Sequence, residues 1–87
     1  MSSMRLISGS KGLRALSSLP TGTHGTIKRV QAHDRARVDR LVALGVTAGA
    51  PVIVLQTFPG IVFLCDQTEL AVERAIADTI LVKLAEG

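Results

Sequence analysis

Four side chains of this sequence have chemistry that could hold a metal or move a proton: His24, His33, Cys65 and Asp66. Imidazole, thiolate and carboxylate are the usual donors to transition metals, but protein sites draw them from close pairs, such as two cysteines separated by two residues. No such pair occurs here, and the four residues are scattered over three stretches of chain. Catalysis would need a nucleophile beside a base. Neither histidine has a serine or cysteine in a recognised nucleophile context near it, and both fall near expected turns or element ends. Gly22 and Gly25 lie three apart, yet no glycine-rich loop leads from a strand into a helix and no Gly-Lys-Ser or Gly-Lys-Thr follows, so they are turn residues and not a phosphate cradle. The expectation is a chain with no catalytic residue, no metal site and no cofactor.

The chain that would have to position such groups has 87 residues, 47% of them hydrophobic and 20% charged, with a mean hydropathy of +0.39. That is enough apolar material for one packed core and one domain. The only aromatics are Phe58 and Phe63, so the core is built from aliphatic side chains, and there is no row of rings on which nucleic-acid bases could stack. Arg5, Lys11 and Arg14 account for all of the formal charge of +3, because from Ala15 onward seven basic residues face seven acidic ones. A neutral domain binds polyanions poorly, and Arg35, Arg37 and Arg40, interleaved with Asp34 and Asp39, read as a solvated helix face. Nucleic acid is therefore not an expected partner.

Cys65 is the single cysteine, so no internal disulfide can form and a reducing, cytoplasmic setting fits. Met1 to Ser18 lacks the apolar core of a signal peptide. Residues 1–14 are expected to be a flexible basic tail and residues 15–87 the domain. Leu41 to Cys65 carries no charge, but Gly45, Gly49, Pro51, Pro59 and Gly60 divide it into runs too short to cross a bilayer as a helix. Direct membrane insertion is not expected.

The same glycines and prolines mark the elements. Leu16 to His24 is expected to be extended and then to turn, and Gly25 to Val30 to be a strand. Asp34 to Leu44 is the helix, with Asp34 able to cap its first turn and Val38, Leu41, Val42 and Leu44 recurring at helical spacing on one side. Gly45 stands where a left-handed residue would end it, with Val46 folding back on Leu41 as in a Schellman ending. Val52 to Phe58 and Ile61 to Asp66 form a hairpin, with Pro59 and Gly60 at the centre of a tight turn. A short strand over Glu69 to Glu73, one helical turn over Arg74 to Thr79 and a last strand over Ile80 to Leu84 complete the chain. About five short strands with one α-helix after the first must hide both an apolar face and two edges. Closure into a small, mainly β, SH3-like barrel does both.

Val52, Ile53, Val54 and Leu55 are apolar in succession, so one face of the hairpin points inward and the other must be covered or left exposed. Phe58 and Ile61 flank Pro59 at the hairpin tip. An exposed apolar ridge of this kind marks a contact with another protein, unless the helix or the tail packs over it.

Residues 16–84 resemble the FeoA family, that of ferrous iron transport protein A. The opening Leu16-Ser17-Ser18-Leu19-Pro20-Thr21-Gly22 looks like the family's first segment, followed by Gly25 and the strand to Val30. Arg40-Leu41-Val42-Ala43-Leu44-Gly45-Val46-Thr47-Ala48-Gly49 is similar to its helix ending in Leu-Gly, then an apolar residue, then a turn closing on Gly. Pro59 and Gly60 stand at its hairpin turn, and Glu69 to Val72 with Ile80 to Val82 resemble its final strands. The resemblance implies an SH3-like barrel and a cytoplasmic, non-catalytic accessory role beside FeoB, the membrane ferrous iron permease with a G-protein domain. The protein would act at the inner face of the membrane through that partner. The expected docking residues are Leu44, Gly45, Val46 and Thr47 together with Phe58, Pro59, Gly60 and Ile61. The same module closes iron-dependent repressors, so the alternative is a metal-responsive regulatory module. Self-association remains open under either reading.

Overall fold

In a computed structural model, residues 13–85 can be described. Most of the expected tail lies outside the described residues. Leu13 and Arg14, assigned to that tail from sequence, instead form strand β1 (Leu13–Ala15), paired antiparallel with the last strand. A single 3-10 turn over Leu16–Ser18 follows. Then come β2 (His24–Val30), α1 (Arg35–Ala43), β3 (Pro51–Gln56), β4 (Ile61–Cys65), β5 (Thr68–Val72), the one-turn helix α2 (Arg74–Ala77) and β6 (Ile80–Leu84). All five expected strands are present, and β1 is a sixth.

The six strands form one antiparallel sheet in the order β1-β6-β2-β3-β4-β5. β2 is shared. Its first three residues pair with β3, and Gly25 to Val30 pair with β6. The register slips by one residue between Ile27 and Arg29 of β2 and again between Val54 and Gln56 of β3. Each extra residue bends its strand and increases the local twist, which curls a six-stranded sheet around its own apolar face. Gly25 sits where β2 is squeezed between its neighbours. A Cβ there would run into the Val82 side chain and stand 2.7 Å from the Lys83 carbonyl oxygen.

Alternation sorts the side chains. Val52 and Val54 of β3, Ile61, Phe63 and Cys65 of β4, and Ile80 and Val82 of β6 are buried, while Ile53, Leu55, Val62 and Leu64 lie on the outer face. Leu70 and Val72 of β5 and Leu84 of β6 pack against the same core from its edge. The core is aliphatic around one ring, that of Phe63.

α1 begins and ends as its sequence dictates. Asp34 Oδ1 accepts from the backbone N–H of Ala36 at 2.9 Å and of Arg37 at 3.4 Å, satisfying two of the donors a helix start leaves open. At the other end Val46 N–H donates to Leu41 O and Gly45 N–H to Val42 O, both at 2.9 Å, with Gly45 at φ +100°. These are the two hydrogen bonds of a Schellman ending. The expected apolar stripe is narrower than its spacing suggested. Leu41 is buried and Val38 half-buried, but Val42 and Leu44 are each 47% exposed, because only the side of α1 that carries Leu41 joins the core.

Candidate functional site

The residues expected to dock a partner lie along one hairpin, and β3 separates them. At one end β3 and β4 are joined by Thr57-Phe58-Pro59-Gly60, a four-residue bend in place of the expected two-residue turn. Phe58 is 80% exposed, the most open large apolar side chain among the described residues. The loop beneath it is held from both sides. Gln56 Nε2 donates to Phe58 O at 3.0 Å, and Arg74 of α2 donates through Nη2 to Thr57 O and through Nη1 to Ser17 O at 3.0 Å. Ser17 Oγ in turn donates to the Asp78 carboxylate. Gly60 passes close under Val72, where a Cβ would stand 3.1 Å from the Val72 carbonyl oxygen.

At the other end the Schellman ending of α1 and the turn into β3 face the β4–β5 turn. Between them lies an open cleft of about 500 Å³, lined by Leu44, Gly45, Thr47 and Ala48 on one side and Cys65, Asp66 and Thr68 on the other. Asp66 turns the chain from β4 to β5 at φ +59° and donates its N–H to Pro51 O at 2.8 Å. Cys65 Sγ lies 3.4 Å from Gly45 O, as a thiol donating to the carbonyl at the helix end. Burial pushes the thiol pKa above its ordinary value, and the neighbouring Asp66 carboxylate pushes it the same way.

The expected eight-residue surface therefore needs two corrections. Val46 and Ile61 are fully buried, at 0% exposure, since Val46 closes the helix ending onto the core and Ile61 starts β4 on its inward face. They cannot touch a partner. The remaining six, Leu44, Gly45 and Thr47 against Phe58, Pro59 and Gly60, do not form one patch, because the six residues of β3 hold them roughly 20 Å apart at about 3.3 Å per residue. Leu55, 40% exposed beside the β3 bulge, adds apolar surface between them. Arg74 was not legible as a site residue, since its partners are two backbone carbonyls distant in sequence.

The four candidate ligands do not come together. Among the described residues no group of three or more His, Cys, Asp or Glu side chains could hold a metal ion. His24 begins β2 and His33 precedes α1, both exposed, while Cys65 is buried at the end of β4. Among the described residues no helix is long and apolar enough to cross a membrane.

Comparison with known proteins places this geometry. The FeoA domain model matches residues 14–84. The FeoA protein of Chlorobium tepidum is 31% identical, with a TM-score of 0.76 over 85% of this chain and 72% of that one. Stenotrophomonas maltophilia FeoA complexed with zinc, described as a procaryotic SH3 domain protein, is 25% identical with a TM-score of 0.69, covering 77% and 86%. A manganese-dependent transcriptional repressor has a TM-score of 0.78 at 21% identity over 84% of this chain and 42% of its own, a likeness of fold. No curated protein sequence matches significantly. With six antiparallel strands curled into an SH3-like domain and the family model covering all of them but Leu13, the chain belongs to the FeoA domain family, a family of ferrous iron transport.

Proposed function

We propose that the chain is a non-enzymatic accessory protein of ferrous iron uptake, docking on the cytoplasmic part of a FeoB-type permease and modulating its assembly or GTP turnover. Family membership supports the iron transport setting. The observation that carries the docking reading is Phe58. A phenyl ring held 80% in water forgoes roughly 1.5–3 kcal/mol that burial would return, and here the ring stands on a loop fastened by Gln56 and Arg74. A fixed apolar projection loses little conformational freedom on binding, which is how anchor residues of protein interfaces work.

The test is capture by the permease's cytoplasmic portion, with GTP turnover as a second readout. Phe58→Asp and Leu44→Asp replace exposed side chains, so both variants should keep the wild-type melting temperature within a few degrees. Loss of capture by either identifies the end of β3 that docks. Undiminished capture by both, with folded protein, removes this surface from the interaction.

A further inference from the structure

β5 ends the strand order of the sheet and pairs with β4 alone. Among the described residues no further backbone hydrogen bond reaches Thr68 to Val72. In an antiparallel pair alternate residues turn both N–H and C=O away from the partner strand, so the outer edge of β5 is a row of open donors and acceptors spaced for an extended chain. The opposite edge, β1, has only three residues. The side chains of β5 alternate with its backbone. Glu69 and Ala71 are exposed, whereas Leu70 and Val72 are half-buried and meet the core from its rim. Asp66, in the turn before the strand, and Glu73, just after it, add two more exposed carboxylates. Arg74 is the one cation among residues 66–74. Its guanidinium is held by the Ser17 and Thr57 carbonyls, so it offsets its neighbour Glu73 and leaves Glu69 unopposed.

From this we infer that the free edge of β5 takes an extended segment of another protein as a further strand of the sheet, a segment in which basic and apolar side chains alternate. Main-chain hydrogen bonds supply the affinity in this mode of recognition, and alternate side chains supply the choice of partner. The apolar residues of the incoming strand lie on the same side as Leu70 and Val72 and complete their burial. Its basic residues fall on the other side, beside Glu69 and toward Glu73, where opposite charges across neighbouring strands attract. A second copy of the chain is disfavoured by the same charges. β5 laid antiparallel on the β5 of another copy and centred on Ala71 sets Glu69 of each copy beside Glu73 of the other, and like charges placed opposite one another are destabilising. Glu69 therefore protects the edge from self-pairing and selects a basic strand. The contact uses neither Phe58 nor Leu44, so it goes beyond the docking reading and does not depend on it.

The experiment titrates the full chain with a capped peptide of alternating lysine and valine, long enough to match all of β5, and follows amide resonances and amide exchange. Saturable shifts should centre on Thr68 to Val72, and the β5 amides that exchange fastest in the free chain should slow at least about tenfold when the peptide is bound. A peptide of alternating glutamate and valine should not bind. The lysine peptide with its alternate backbone nitrogens methylated should not bind either, because it keeps the charge and loses the main-chain donors. Glu69→Lys changes an exposed side chain and should invert the preference, losing the lysine peptide and gaining the glutamate one. If Glu69→Lys fails to fold, Glu69→Gln replaces it and should weaken the lysine peptide alone. Phe58→Asp should bind the lysine peptide as the wild type does. No shift at β5, shifts centred on β1 or on the cleft beside Leu44, or equal binding of the methylated or the glutamate peptide overturns the proposal. So does protection of the β5 amides that grows with protein concentration in the absence of peptide, which would make a second copy the occupant. Because no permease is present, none of these outcomes bears on the docking reading.

Discussion

Arg74 and Ser17 are joined by a hydrogen bond from Nη1 to the Ser17 carbonyl at 3.0 Å, while the other terminal nitrogen of the same guanidinium reaches Thr57 O. One side chain thus ties the 3-10 turn after β1, the helix α2 and the Phe58 loop. The planar fork of an arginine can serve two acceptors at once, and a lysine ammonium cannot match that geometry. Arg74→Ala should cost about 1 kcal/mol, less than a buried charged bond because the group is exposed. For a domain of this size that is a fall of roughly 4–8 °C in Tm. Arg74→Lys should recover little of it. The amides of Thr57, Phe58 and Gly60 should exchange faster in both variants while those of β6 do not, a difference that a merely global loss of stability would not produce.

Gly25 and Gly45 fail for different reasons when given a side chain, and the contrast is measurable. Gly45 has nothing within 4 Å of where its Cβ would be but sits at φ +100°, so Gly45→Ala pays only the backbone penalty, about 1–2 kcal/mol. Gly25 lies in ordinary strand geometry, and there the cost is steric, against Val82 and the Lys83 carbonyl. The carbonyl belongs to a ladder partner and cannot yield without breaking the β2–β6 pairing. Gly25→Ala should cost about 3 kcal/mol or more, above the usual range for overpacking. Urea denaturation of the two variants decides it, and equal costs would refute the distinction.

Stability should also fall at alkaline pH through Cys65. Its thiol is buried and donates toward Gly45 O, and burial followed by the charge of Asp66 raises its folded pKa. A raised value means that the fold holds this proton more tightly than the unfolded chain does. The contribution is therefore fully present below the unfolded thiol pKa and is lost as pH rises through the folded one, with a slope of at most about 1.4 kcal/mol per pH unit. Cys65→Ala should lose about 1 kcal/mol near neutral pH from the space left behind, and its stability should then vary less than that of the wild type across the alkaline window. In the wild type, thiol reagents should modify Cys65 only at the rate of unfolding or local opening.

What the sequence made legible was local. The end of α1 could be placed because Leu44, Gly45 and Val46 carry the whole Schellman signal within three positions, and the β3–β4 and β4–β5 pairings follow from alternation across short connections. β1 could not be read, since Leu13–Ala15 becomes a strand only by pairing with Leu81 to Lys83 at the far end of the chain. The site was half legible for the same reason. Sequence marks Ile61 as an apolar residue at a hairpin tip and Val46 as one just past a helix end, but whether Val46 or Ile61 points out depends on which face of the sheet its neighbours close. The distance between Leu44 and Phe58 depends on the direction in which β3 runs.

That division of the surface residues yields the sharpest mutational contrast. Val46 and Ile61 differ from Leu44 and Phe58 not in chemistry but in which side of the barrel wall they occupy. An aspartate at either buried position would bring an unpaired carboxylate into a core that, among the described residues, buries no charged or polar side chain to partner it. The group must stay protonated or open the barrel to water, a penalty of several kcal/mol against a total stability of only about 5–15 kcal/mol. Val46→Asp and Ile61→Asp should be largely unfolded or aggregated at 25 °C, with loss of cooperative melting. Leu44→Asp and Phe58→Asp should melt within a few degrees of wild type. If instead all four variants melt alike, Val46 and Ile61 are reachable from outside, and the two-ended arrangement of the hairpin is wrong.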